Sequence, residues 1–171
     1  RDEQTIYTSP AGKLVLNKRN WKLEIFDNAG ELLTATQGMD VLEALHHKNL
    51  PFLFTRRSTD CSRSVAASFA LAPGERIYGG GESFTALNKR GQKMVLYASD
   101  VQSAGTNGQY KPVPFVMSSR GYGLFVHTTT PVTLDIGHRF DGTHTIFSGD
   151  DQLDIFFFLG SPKEILSEYT A

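Results

Sequence analysis

Side chains able to do chemistry are spread thinly along this sequence, and no familiar constellation gathers them. Gly79-Gly80-Gly81-Glu82-Ser83-Phe84 has the glycine density of a phosphate cradle. It lacks the third spaced glycine of a dinucleotide fingerprint and the Gly-Lys-Ser/Thr ending of a P-loop. It therefore reads as a strained structural turn that uses glycine's backbone freedom. Of the five histidines only His46 and His47 adjoin, and sequence neighbours point apart on a helix or a strand, which suits chelation poorly. Asp150, Asp151 and Asp154 lack the ordered oxygen ligands and glycine of a calcium loop, so they read as a solvated turn. Cys61 lies among Asp60, Ser62 and Arg63 with no base assigned to it, and no Gly-x-Ser-x-Gly elbow exists. Trp21, Tyr97, Tyr110 and Tyr122 carry rings that can stack on sugars, although such rings more often pack in cores and at edges. The stretch from Ser99 to Gln109 is small and polar, too long for a minimal hairpin turn, and has Asp100 as its only charge, which reads as a functional loop.

Composition narrows the classes further. Seventeen Lys and Arg against eighteen Asp and Glu leave a net charge of -1 over 171 residues, so no overall field draws the chain to nucleic acid or an anionic membrane. The single cysteine permits neither an intramolecular disulfide nor a thiolate-rich zinc site. No apolar run approaches the roughly 18 residues of a spanning helix. The sequence opens at Arg1 rather than Met, and the compartment stays open.

The elements that must position these residues read as all-β. Twelve Phe, six Tyr and sixteen Gly suit short strands joined by tight turns. Trp21, Leu23 and Ile25 alternate with Lys22 and Glu24, and Asp27-Asn28-Ala29-Gly30 turns the chain into Leu32 to Thr36. Further strands are predicted over Val65 to Leu71, Arg76 to Tyr78, Lys93 to Tyr97, Val113 to Ser118, Gly123 to His127, Val132 to Ile136, Thr143 to Phe147 and Gln152 to Phe158. They recur at about the 8–12-residue spacing of sandwiches and barrels. Met39 to His47 has the spacing of a short helix. At the far end Ser161-Pro162-Lys163-Glu164 supplies a capping hydroxyl, a proline at the first helical position and a first-turn acid, which predicts a helix carrying Ile165, Leu166 and Tyr169. With no closing turn or polar tail before Ala171, the pattern predicts a chain that continues.

Three pieces in order carry a resemblance: Tyr78-Gly79-Gly80-Gly81-Glu82-Ser83-Phe84, then Tyr110-Lys111-Pro112-Val113-Pro114-Phe115, then Gly121-Tyr122-Gly123-Leu124-Phe125-Val126. Together, with Phe69-Ala70-Leu71 before them and Ser161 to Thr170 after, the sequence resembles glycoside hydrolase family 31, the α-glucosidase and α-xylosidase family. The likeness runs from about Phe69 to Ala171. It implies a galactose-mutarotase-like antiparallel β-sandwich over residues 1–160, with 161–171 starting a connector helix to a (β/α)₈ barrel. In the family that barrel carries the nucleophile and the general acid/base for hydrolysis with retention, about 5–5.5 Å apart. Neither motif occurs here, so no residue of this chain is assigned as catalytic, and the chemistry calls for no metal or organic cofactor. The implied partners are an α-linked oligosaccharide or glycoside and the barrel itself.

A family loop that reaches over the barrel mouth offers an Asp to substrate hydroxyls, and Asp100 matches that position. Ser99 stands where Arg is frequent. Glu82 and Tyr110 match the motifs in packing and turn roles. Two other classes remain: an independent carbohydrate-binding module that uses exposed aromatics, and an aldose epimerase, which needs a His and Glu pair facing one pocket. His127, His138 and His144 lie on or near predicted strands and are its candidates.

Overall fold

The computed structural model describes residues 3–37, 52–56, 58–59, 62–100 and 108–171. Thirteen strands and one helix lie within them. All strand pairs are antiparallel and fall into three sheets. The first is a meander of β1 (Gln4–Ser9), β2 (Gly12–Asn17), β3 (Lys22–Asp27) and β4 (Leu32–Ala35). The five-stranded sheet runs β5 (Phe52–Arg56), β6 (Arg63–Ala70), β12 (Thr143–Ser148), β11 (Val132–Ile136), β8 (Gln92–Leu96). The four-stranded sheet runs β13 (Ile155–Leu159), β10 (Tyr122–Val126), β9 (Pro112–Ser118), β7 (Ile77–Gly81).

Alternation explains why two of these sheets close on each other. Along β11, Val132, Leu134 and Ile136 are almost fully buried, because period-two geometry sends them to one face. The register sets Leu134 between Met94 on β8 and Ile146 on β12. Ile77, Val116, Leu124 and Val126 of the four-stranded sheet join the same core, so the five- and four-stranded sheets form a sandwich with its apolar layer between them.

The meander is fastened to this sandwich through β4. Thr36 bridges Phe69, the Thr34 hydroxyl donates to the Ala70 carbonyl at 2.9 Å, and Gln37 N–H donates to the Ser68 carbonyl at 2.8 Å. From the β9–β10 turn, the Arg120 guanidinium donates to the Leu33 carbonyl at 3.1 Å and to that of Leu32 at 2.6 Å.

Helix α1 (Pro162–Tyr169) starts where the sequence places it, on a full capping box. The Glu164 carboxylate accepts from Ser161 N–H and Oγ at 2.8 and 2.6 Å, which holds that carboxyl below its ordinary range. The apolar side of α1 is spent largely on its own sandwich. Ile165 is fully buried, and Tyr169 stacks on Phe115 with centroids 4.1 Å apart. Gly123 makes room for this packing, since a Cβ there would lie 2.7 Å from Ile165 Cγ2. Leu166 alone among the apolar residues expected on α1 remains exposed.

The structure revises two local expectations. β7 runs through Gly81 with a register shift between Gly79 and Gly81, so the glycines form a bulge inside a strand, not a bend after one. β13 starts at Ile155, not Gln152; the pairing with β10 reaches back only as far as Asp154, whose carbonyl accepts from His127 N–H and whose carboxylate meets the His127 ring. The expected helix from Met39 to His47, the pair His46 and His47, and Cys61 lie outside the described residues.

Candidate functional site

Asp100 is exposed just past the end of β8. Its position is set by a closure one residue earlier. Ala98 bridges Gln109, and Ser99 N–H donates to the Gln109 carbonyl at 3.0 Å. The two ends of the connection are thereby drawn together, and the carboxylate leaves the sandwich at a fixed root. Tyr97 and Tyr110 flank that root and are exposed. Beside it, Tyr97, Pro112, Pro114 and Thr129 line a cleft of about 250 Å³. An ionised carboxylate accepts from two hydroxyls at once, so Asp100 has the chemistry and the exposure to grip a sugar.

The neighbouring glycine segment is structural. Gly79, Gly80 and Gly81 all have positive φ, at 121°, 86° and 86°. A Cβ on Gly79 would sit 2.4 Å from the Phe115 carbonyl oxygen, and one on Gly81 2.3 Å from that of Lys111. Only a residue without a side chain lets β7 approach β9 this closely. Beyond the bulge, Glu82 N–H donates to the Lys111 carbonyl at 3.3 Å and its carboxylate lies 3.8 Å from Lys111 Nζ. Both side chains are exposed, so the ion pair contributes little. Lys89 is buried beside this turn, its ammonium donating to Ser83 Oγ at 3.0 Å and Thr85 Oγ1 at 2.8 Å. Burial lowers the Lys89 ammonium below the ordinary lysine range.

Other sequence candidates separate on inspection. Tyr122 is buried, with its hydroxyl donating to Glu75 Oε1 at 2.7 Å, and Ser118 Oγ donates to the same oxygen. Glu75 Oε2 accepts from Ala72 N–H at 2.7 Å. Burial and the Glu75 charge both push the Tyr122 phenol up. This ring serves the core. Of the acids in the β12–β13 turn, Asp151 faces Arg63 at 3.7 Å, Asp154 bonds His127 at 3.0 Å, and Asp150 Oδ1 accepts from Asp151 N–H.

The three histidines do not converge on a glutamate. His127 meets Asp154, His138 Nδ1 meets the Gly91 carbonyl at 3.1 Å, and His144 is buried in β12 with Nε2 unpartnered among the described residues. Burial pushes His144 down to about 4 from 6.5, with the Asp135 charge opposing. An unfolded histidine takes a proton near pH 6.5 and the folded one resists until about pH 4. The group's full contribution therefore stands above pH 6.5 and is lost as pH falls toward 4. Over that window it costs about 3 kcal/mol. Urea midpoints measured from pH 7 to pH 4 are expected to drop less in His144→Leu than in the parent, and parallel profiles would refute a neutral buried imidazole.

A family model described as the glycosyl hydrolase 31 N-terminal galactose mutarotase-like domain matches residues 1–135. The chain belongs to that family. Curated relatives of this family 31 domain include an alpha-xylosidase of Emericella nidulans, 35% identical over 107 residues that cover 61% of this chain and 13% of the relative. Alpha-glucosidase 2 of Bacillus thermoamyloliquefaciens is 28% identical over 99% of the chain and 20% of its own length. The chain thus spans between about an eighth and a fifth of these relatives. Among solved structures, a GH31 alpha-xylosidase from a soil metagenome, complexed with xylose, superposes with a TM-score of 0.77 at 24% identity, over 100% of this chain and 25% of the other. The Flavobacterium johnsoniae GH31 dextranase, complexed with glucose, gives 0.74 at 23% identity over 97% and 20%. These likenesses show the mutarotase-like fold of the family 31 domain.

Sequence reasoning missed Gln109. It is buried at the root of the loop, its amide donating to the Gly80 carbonyl at 3.4 Å and its Oε1 without a partner among the described residues. No local signal marks it, since a glutamine in a polar stretch reads as solvated.

Proposed function

We propose that this domain is the N-terminal sandwich of a retaining α-glycosidase acting on α-glucosides or α-xylosides. In this reading it packs on a (β/α)₈ barrel supplied by the rest of the polypeptide, with residues 161–171 as the start of the connector, and holds Asp100 against the substrate. Family membership and the activities named for the xylosidase and glucosidase relatives support it. The observation that carries the site is the exposed Asp100 carboxylate at a root pinned by the Ser99–Gln109 bond. Hydrolysis belongs to paired carboxylates on the barrel, so residues 1–171 alone bind at most and do not cleave.

The full-length protein is expected to release p-nitrophenol from p-nitrophenyl α-D-glucopyranoside or α-D-xylopyranoside with retention, and the 1–171 fragment from neither. Cleavage by the fragment after contamination controls, or none by the intact enzyme, refutes the reading. Exposed Trp21, Tyr97 and Tyr110 favour a second reading as an independent carbohydrate-binding module. Saturable sugar binding by the fragment in calorimetry, lost in Tyr97→Ala or Trp21→Ala and kept in Asp100→Ala, selects it.

A further inference from the structure

Next to the Asp100 root, between the turn after β7 and the outer face of β8, lies a small cleft of about 100 Å³. Its lining includes Ser83, Phe84, Thr85, Val95 and Gln109. Three features distinguish it from an ordinary surface dimple. Gln109 is 4% exposed and its Oε1 has no partner among the described residues, and an unsatisfied buried acceptor is costly unless something arrives to donate to it. Its amide cannot simply be turned round, because the Nε2 group serves the Gly80 carbonyl. The hydroxyls of Ser83 and Thr85 both accept from the buried Lys89 ammonium and are hydrogen-bonded to each other at 3.1 Å, which leaves one of their two protons to be donated. The Phe84 ring stands at the rim, 73% exposed.

The cleft thus offers an acceptor, one hydroxyl donor and an apolar ring face within one small volume. Lys93 also borders the cleft, but an anion is repelled by the Gln109 carbonyl oxygen, and a purely apolar group leaves that oxygen unsatisfied. The edge of a pyranose matches, because each of its hydroxyls both donates and accepts while its C–H face lies on an aromatic ring, and about 100 Å³ takes that edge with the rest of the ring outside. Gln109 is also the residue whose backbone pins Ser99, the neighbour of Asp100, so a sugar here lies beside the one that Asp100 contacts.

We propose that this cleft is a second glycosyl-binding position, taking a further unit of an α-linked oligosaccharide through Gln109 Oε1, the Ser83 and Thr85 hydroxyls and the Phe84 ring. The inference rests on the function proposed above and adds a preference for longer substrates.

The test uses the full-length enzyme. Maltotriose, isomaltotriose and glucose are each run as competitors in initial-rate hydrolysis of the p-nitrophenyl glycoside that it cleaves. Wild type is expected to bind at least one trisaccharide more tightly than glucose. Phe84→Ala and Gln109→Leu are each expected to cut that trisaccharide-to-glucose ratio about five- to tenfold, the loss of roughly one hydrogen bond or stacking contact. Phe84→Ala removes an exposed ring and keeps the test valid if Gln109→Leu folds poorly. No trisaccharide preference in wild type, or an unchanged ratio in Phe84→Ala, overturns the inference. So does a lowered melting temperature in Phe84→Ala with the ratio unchanged, which assigns the cleft to packing against the rest of the chain. Asp100→Ala separates the two claims. If it weakens glucose and trisaccharide alike while the ratio in Phe84→Ala stays flat, only this inference fails; if it changes neither, the function proposed for the loop fails.

Discussion

Replacing Asp100 by alanine in the full-length protein is expected, on the function proposed above, to raise KM for an α-glycoside about 10- to 100-fold. The carboxylate is exposed at the end of β8, and the bond from Ser99 to Gln109 fixes the backbone that presents it. A charge-assisted hydrogen bond is worth roughly 1.5–3 kcal/mol where a neutral one is worth about 1, and each 1.4 kcal/mol is a factor of ten. Asp100→Asn keeps the shape and one acceptor oxygen, so it is expected to fall between wild type and alanine. Because the side chain is exposed, the melting temperature is expected to stay within about a degree or two of wild type, as for surface substitutions generally. Kinetics with unaltered KM in both variants would remove Asp100 from the substrate's surroundings.

Gly79→Ala is expected to be among the most damaging single changes in the sandwich, costing about 2–4 kcal/mol. Two penalties combine there. The φ of 121° strains any side-chain-bearing residue, and the new Cβ would lie 2.4 Å from the Phe115 carbonyl oxygen and 3.0 Å from Val116 Cα. Both obstacles are backbone of the adjacent strand, so β7 and β9 must part for it to fit. Gly30→Ala serves as the control. Its φ of 85° imposes the first penalty, but nothing lies within 4 Å of its Cβ, so it is expected to cost about 1 kcal/mol. Equal midpoints for the two variants in chemical denaturation would show that close approach of the strands is not what demands glycine at 79.

The sandwich was legible in sequence wherever apolar and polar residue types alternate. β11 shows this best, with Val132, Leu134 and Ile136 alternating with Thr133 and Asp135 and a proline before it, even though Asp135 is itself buried, its carboxylate accepting from His138 and Arg139 N–H. The capping box of α1 was equally plain, since Ser161, Pro162 and Glu164 act over three residues and need no tertiary partner. β1 escaped because five of its six residues are exposed: an edge strand covered on neither face shows no alternation to read. β2 escaped through its run Leu14-Val15-Leu16, which has no period. Glycines 79–81 signalled an unusual backbone, but whether chain turns or bulges depends on β9 lying alongside, and that is tertiary information. The candidate site was less visible still. Nothing around Asp100 distinguishes it from a solvated loop acid without the resemblance to family 31. Gln109 gains meaning only from what buries it and from the carbonyl that claims its amide.

Arg120 sets how the molecule should come apart. Its guanidinium spans from the sandwich to two consecutive carbonyls of β4, and a lysine, with one nitrogen in place of a fork, cannot serve both in that geometry. With Thr34 and Gln37 adding their own ties to β6, the leading meander is no detachable appendage. Calorimetry should record a single endotherm for both layers, and a separate early melting of the first 35 or so residues is the event this latch forbids.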